Sequence, residues 1–329
     1  MKPFQWGIIG CGLIAPRFVS DLAKTGEGEV VAAASRSMRR AKRFQQTTGV
    51  EHIYNSYEAM LNNHRLDAVY IATSHNFHAE NALLCLDRGI PLLIEKPLTQ
   101  NARQAEQIIA AAREKRLFMM EAMWTRFNPA CIKLRELLAA GIIGEVRSME
   151  AEFCIHMNPF SLKMMPWHRM YSPRLAGGAL LDLGIYPVTF ARMVFGRSPS
   201  AITASADMAW TGVDKASRYS FVYPDGATAE MKTSFAEQSS RGLEIYGTRG
   251  SIHLPSFHST DHFTLKLQGT AHETVQCEPS GFQHEIREVH RCLREGLTES
   301  PSMPLSETLE NIRTLDAIRA QWGMTYPGE

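Results

Sequence analysis

Apolar residues open the chain in a block, "FQWGII" at 4–9, and from there to about residue 122 such blocks alternate with stretches whose apolar positions fall three and four apart. Short apolar blocks bounded by turn signals predict buried strands, and the three-and-four spacing predicts amphipathic helices. The blocks are "FQWGII", "EVVAAAS" (29–35), "DAVYIAT", "PLLIE" and "LFMME". The helical stretches are an amphipathic run to about Lys24, then "SYEAMLNN", "HAENALLCLDRG" and "NARQAEQIIAAAREK". Strands alternating with helices predict a parallel, doubly wound sheet, whose ligands gather outside the carboxyl ends of its strands.

From about Glu145 the period changes. "EVRSMEAEFCI", "SAITASADM", "ASRYSFVYPDGATAEMKTSF", "RGLEIYGTRGSIHL" and "FTLKLQG" read as strands, with turn signals at "PDGA" and "GTRGS". They predict an antiparallel or mixed sheet, closed by amphipathic helices at "HEIREVHRCLREG" and "SETLENIRTLDAIRAQW". Ahead of most of these strands stands "GGALLDLGIYPVTF" (177–190), two glycines leading into an apolar run expected to be helical. It carries a carboxylate, Asp182, and a phenol, Tyr186, four residues apart and so on one helix face, one turn apart. They are either satisfied structural polar groups or a proton-handling pair.

Composition narrows the classes. The 329 residues suffice for two domains, and with 35 Lys and Arg against 34 Asp and Glu the chain lacks the basic excess of a nucleic-acid binder. Charges such as Asp182 and Arg192 break the longer apolar stretches, so no membrane span is expected. The N-terminus runs straight into a strand without the apolar core of a leader. Six scattered cysteines without a C-x-x-C pair suit buried thiols and a cytoplasmic location.

Candidate chemistry falls at the strand ends. Gly10, Gly12 and Ala15 match G-x-G-x-x-G/A between a strand and a helix, where small residues admit a pyrophosphate to the helix N-terminus. An NAD-selective site places a carboxylate near the end of the second strand. Here Ser35 and Arg36 stand there, with Arg39 and Arg40 beyond, which favours NADP over NAD through charge-assisted bonds to the 2′-phosphate; the bland alternative is a solvated basic turn. "TSHNFHAE" and "EKPLT" follow two further strands, and Lys96 at such a mouth is placed to donate to a substrate oxygen, unless it forms a structural ion pair. His75 with His78, and His258 with His262, have spacings a metal could use but no third ligand nearby, so no metal is expected. The Met pairs at 119–120 and 164–165 read as gap fillers, and the loop 157–176 as a flap over a substrate or a partner contact.

At "EKP", together with the glycine fingerprint, the chain resembles the glucose–fructose oxidoreductase and inositol dehydrogenase (Gfo/Idh/MocA) family. "LFMMEAMWTRFNPA", "AGGALLDLGIYPV" and "CLREGLTESPSMPLSE" bring it close to that family's dimeric dihydrodiol dehydrogenase branch, whose members also oxidise D-xylose with NADP. The resemblance implies an α/β fold: a Rossmann-type doubly wound parallel sheet (1–122), then an α+β domain with a large open, mostly antiparallel sheet for substrate and oligomerisation (123–329). It implies Lys96, Asp182 and Tyr186 as catalytic residues, Tyr186 standing where the wider family has a histidine. It implies cofactor contacts from Gly10, Gly12, Leu13, Ile14, Ser35, Arg36, Thr73, His75, His78, Glu95 and Lys96, and a substrate pocket of Trp124, Arg126, Phe153 and Tyr186. A cis bond at Pro97 and a homodimer through the exposed sheet face are further implications.

The implied chemistry is an NADP-linked oxidation. A free phenol, with a pKa of about 10, is a poor base near neutrality, and a nearby ammonium such as Lys96 would favour the phenolate. The expected substrate is a cyclic polyol, an aldose such as D-xylose or a trans-dihydrodiol. Alternatives are an inositol or sugar-derivative dehydrogenase and a non-catalytic regulator that senses cofactor or sugar.

Overall fold

Six strands of the N-terminal part pair in parallel, as the alternation predicts: β1 (Phe4–Ile9), β2 (Gly28–Ala34), β3 (His52–Tyr54), β4 (Ala68–Ile71), β5 (Leu92–Glu95) and β6 (Met119–Ala122), in spatial order β3-β2-β1-β4-β5-β6. The computed structural model describes residues 2–157 and 168–329, so the Met pair at 164–165 and much of the 157–176 loop lie outside the described residues. Every residue of β4, β5 and β6 is buried, which is why these strands are near-continuously apolar rather than alternating. Helices α1 (Ala15–Thr25), α2 (Met38–Thr48), α3 (Tyr57–Asn63), α4 (His78–Leu86) and α5 (Ala102–Lys115) connect them. Ser37, Ser56 and Asn101 start α2, α3 and α5 by accepting backbone N–H bonds from Arg40, Ala59 and Gln104. The order reverses at β1, between β2 and β4, where such sheets open their ligand crevice. The "HIY" strand was not anticipated, because three residues show no period.

The chain divides into Met1–Trp124 with Gly281–Leu309, and Thr125–Ser280 with Glu310–Glu329. A single boundary at 122/123 therefore misplaces the 281–309 segment, which packs with the parallel sheet. Helix α8 (Phe282–Arg294) starts at Gly281, which offers no side-chain cap; Asp21 on α1 supplies one, its Oδ2 accepting from Phe282 N at 3.0 Å. His290, fully buried, accepts from Trp6 Nε1 at 3.0 Å and turns Nδ1 toward Glu27 at 3.2 Å. Only long-range contacts select this partner, so no local pattern reveals it.

The second unit holds an eight-stranded sheet: β7 (Val146–Cys154), β8 (Ala201–Met208), β9 (Asp214–Val222), β10 (Thr228–Ser234), β11 (Leu243–Gly247), β12 (Gly250–Leu254), β13 (His262–Leu267) and β14 (Glu273–Gln276). The order is β14-β13-β12-β11-β7-β10-β9-β8; β7 and β10 run parallel and the other neighbours antiparallel. Burial alternates along β10, so one face is covered and the other open, and α6 (Pro129–Ala139) and α7 (Ile185–Phe195) belong to this unit. Helix α9 (Leu305–Ala320) closes the chain.

One apolar helical stretch bears on the membrane expectation. The helical stretch Pro173–Phe195, 23 residues with mean hydropathy 1.3, is long and apolar enough to cross a membrane by length and composition. Its apolarity has a different cause, because 78% of that window is buried inside the fold.

Replacing Asp21 by Ala removes the cap of α8 and the partner of Lys24 (2.6 Å) and Arg17 (3.5 Å). Urea unfolding should show a loss of about 1–2 kcal/mol, partly recovered in Asp21→Asn, which keeps the acceptor. Equal stability of wild type and Asp21→Ala would show that α8 is held by packing alone.

Candidate functional site

The glycine turn after β1 is shaped by close approach. Gly10 has φ 106°, and a Cβ there would lie 2.6 Å from Ala72 O, so only glycine fits. A Cβ on Gly12 would meet only Ala72 O at 3.6 Å, and Leu13 beside it is 92% exposed. Ile14 occupies the N-cap of α1 without a side-chain cap, and Pro16 in the first turn has no N–H to satisfy. This helix end suits a pyrophosphate: backbone can approach closely, and no side chain of the protein caps it.

Around the turn, Ser35 is buried and Arg36 exposed at the end of β2. Thr73 and His75 follow β4; Thr73 Oγ1 accepts from Asn81 Nδ2 at 3.2 Å. His78, fully buried, sets Nε2 3.1 Å from Thr73 O and Nδ1 3.0 Å from Pro97 O. Burial lowers its pKa, against those carbonyls, which favour the charged ring. The ring therefore braces the turn after β4 against the turn after β5. Glu95 accepts from the Tyr70 hydroxyl and, at 3.1 Å, from Lys96 N. The Lys96–Pro97 bond is cis, as the resemblance implies, and Leu98 N then donates to Glu121 Oε1 at 2.8 Å. Burial raises the fully enclosed Glu121 to about 7, with Glu95 adding to the shift and the Leu98 N–H and Lys96 opposing it.

Trp124 lies in the first unit, its ring centroid 5.5 Å from that of Phe282, with the Arg17 guanidinium 4.7 Å and 4.3 Å from the two centroids. Arg17 and Phe282 were missed, since they meet Trp124 only through the packing of α8.

In the second unit the apolar run at 180 does turn helical, but its first turn, Leu180–Gly184, is a π turn leading into α7. Pro187 has no N–H for the carbonyl four residues back, and Ile185 N bonds Leu180 O, five back. Asp182 and Tyr186 are therefore not stacked one regular turn apart. Asp182 pairs with Arg169 Nη1 at 3.0 Å, while Tyr186, 7% exposed, has the Phe153 ring at 5.2 Å and His258 at 6.2 Å. His258, which sequence reading left as a solvated or site histidine, thus joins the aromatic group around the phenol. Arg126 is buried in this unit.

The double glycine explains how the turn is held. A Cβ on Gly177 would lie 2.5 Å from Arg169 O, and one on Gly178, at φ 118°, would collide with Asp214 Oδ1. Asp214 Oδ2 accepts from Leu180 N at 2.7 Å, and the Tyr326 hydroxyl donates to Gly177 O at 2.5 Å. Burial raises Asp214 to about 7, opposed by the Leu180 N–H. Among the described residues no group of three or more His, Cys, Asp or Glu could hold a metal.

The two buried acids set a pH dependence. Glu121 rises from 4.5 and Asp214 from 3.8, each to about 7, so the folded state keeps protons that the unfolded chain has released. Their stabilising contribution is complete below the unfolded values and is lost as pH rises through about 7. The melting temperature should fall across that window, and Asp214→Asn should make the fall shallower. An unchanged slope in that variant would show that Asp214 does not titrate there.

Residues 4–122 match the family described as "Oxidoreductase family, NAD-binding Rossmann fold", and residues 131–253 match the GFO/IDH/MocA C-terminal domain. The chain is 35% identical to the trans-1,2-dihydrobenzene-1,2-diol dehydrogenase of Bos taurus, covering 98% of both chains. It is 34% identical to the D-xylose 1-dehydrogenase (NADP(+)) of Hypocrea jecorina, covering 98% of this chain and 93% of that one. A 3-ketoreductase from Actinomadura kijaniata, solved with NADP and TDP-benzene, superposes with a TM-score of 0.86 at 28% identity, over 97% and 98% of the two chains.

Proposed function

The chain belongs to the GFO/IDH/MocA oxidoreductase family, and on that premise we propose that it is an NADP-dependent dehydrogenase of cyclic polyols, acting on an aldose such as D-xylose or on a trans-dihydrodiol. That it is an NAD(P)-dependent dehydrogenase with a Rossmann domain and a small-molecule substrate follows from the family and its named relatives. The observation that carries the finer reading is the Asp182–Tyr186 turn, built on Gly177, Gly178 and a buried Asp214, with the phenol among aromatic rings and the carboxylate paired to Arg169.

The bound cofactor would accept a hydride from the substrate carbon. Leu13 and Ile14, with the glycine turn, would hold its pyrophosphate, and Arg36 its 2′-phosphate; Thr73, His75, His78 and Glu95 would shape the crevice beyond. Tyr186 Oη takes the hydroxyl proton. Lys96 is the proposed donor to the substrate oxygen. Asp182, paired with Arg169, orients the neighbouring groups. Phe153, Trp124 and Arg126 are the proposed substrate-contact residues. NADP rather than NAD is supported by the exposed Arg36, with no carboxylate at the end of β2. A homodimer through the open face of the eight-stranded sheet and a cytoplasmic location complete the proposal; the six unpaired cysteines support the latter.

A screen of aldoses and diols with NADP⁺, followed at the nicotinamide absorbance, tests the reaction. Tight cofactor binding without turnover of any substrate would favour the regulator. Tyr186→Phe keeps the ring and removes the titrating oxygen, so turnover should fall roughly 10²- to 10⁴-fold while melting temperature and cofactor affinity change little. Lys96→Met should be as damaging. Near-normal turnover in the Phe variant would take Tyr186 out of the mechanism. Arg36→Asp should cost NADP more than about 2 kcal/mol of binding and spare NAD; an unaltered preference would reduce Arg36 to a surface turn residue.

A further inference from the structure

Three neighbouring strands end side by side: β2 in Ser35 and Arg36, β1 in the glycine turn, and β4 in the turn His75–Phe77. Arg36 and Phe77 follow the two strands that flank β1, and the Arg36 guanidinium carbon stands 3.9 Å from the Phe77 ring centroid, which is direct face contact. Arg36 is nonetheless exposed, so its outer face remains open to a ligand.

An exposed arginine ordinarily samples many rotamers, and ordering it on binding subtracts from affinity. Recognition of a phosphate by two parallel N–H groups demands an oriented guanidinium plane. Here the plane is set before any ligand arrives, by Phe77 from another connection of the sheet. We propose that Phe77 is a specificity-determining positioning residue, seating the Arg36 guanidinium so that its N–H edge and outer face meet a 2′-phosphorylated adenosine. This rests on the reading of Arg36 as the 2′-phosphate partner.

Isothermal titration calorimetry of the full chain with NADP⁺ and with NAD⁺ tests it, in wild type, Phe77→Leu, Arg36→Ala and the double variant. Phe77→Leu should weaken NADP⁺ roughly three- to tenfold, the scale of a lost cation–π contact, and leave NAD⁺ within about twofold. In the Arg36→Ala background the same substitution should have no further effect on NADP⁺. Equal weakening of both dinucleotides, or an undiminished loss in the double variant, would overturn the proposal and make Phe77 a packing residue. If Arg36→Ala leaves the NADP⁺ to NAD⁺ ratio unchanged, the underlying reading of Arg36 fails and this proposal falls with it. Should Phe77→Leu fold poorly, Phe77→Tyr keeps the aromatic face and must retain the NADP⁺ preference; its loss there is equally fatal.

Discussion

Both halves of the chemistry depend on backbone coming closer to a neighbour than a Cβ carbon would permit. At Gly10 the neighbour is the Ala72 carbonyl, and the approach keeps the turn after β1 low against the end of β4, where a dinucleotide needs an open floor. At Gly177 the neighbours are the Arg169 and Met170 carbonyls, and at Gly178 the neighbour is Asp214. Without those contacts Arg169 would not be carried to Asp182, and Asp214 could not reach Leu180 N. A methyl group at either position would push apart the elements that the site is built from.

Buried acids are the cost of this arrangement. Glu121 holds the chain after the cis Pro97 bond, and Asp214 holds the start of the π turn, each by one carboxylate oxygen on a backbone N–H. Glu285 on α8 goes further: it is fully buried and neither carboxylate oxygen has a hydrogen-bond partner. Burial, with Glu95 and Asp21 adding and Arg17 opposing, pushes it well above the usual carboxylate range. Such groups are destabilising in isolation. That they stand beneath the turns carrying Lys96 and Asp182 fits a structure that gives up stability to fix backbone at a reactive site.

Several arginines are oriented by aromatic rings as well as by carboxylates. Arg17 sits over Trp124 and Phe282, Arg36 over Phe77, and Arg319 over Tyr326 while also pairing with Glu329 at 3.0 Å. A ring face orients a guanidinium without neutralising it, leaving its edge for hydrogen bonds. For Arg319 that edge is turned to the protein's own Glu329 and Asp316, close to the Tyr326 that donates to Gly177.

The sequence by itself determined the elements whose cause is local. The continuous apolar blocks at 68–71 and 92–95 and the glycines at 10 and 12 specify strand, turn and helix through period and steric freedom alone, and they disclosed the parallel sheet and its nucleotide turn. Alternation announced most of the second sheet, because one open face leaves a polar residue at every other position. Asp182, Tyr186 and Lys96 stand out in the sequence as candidates because carboxylate, phenol and ammonium are rare in apolar runs. Tertiary structure decided what depends on residues far apart in the chain. A π turn takes the place of the first regular turn at Leu180–Gly184, Gly178 needed Asp214 to reveal its purpose, and α8 found its place through Asp21, more than 250 residues away. Phe77 gains its bearing on Arg36 through the placing of β1 between β2 and β4 in the sheet, an order imposed by the burial of whole strands and carried by no local pattern.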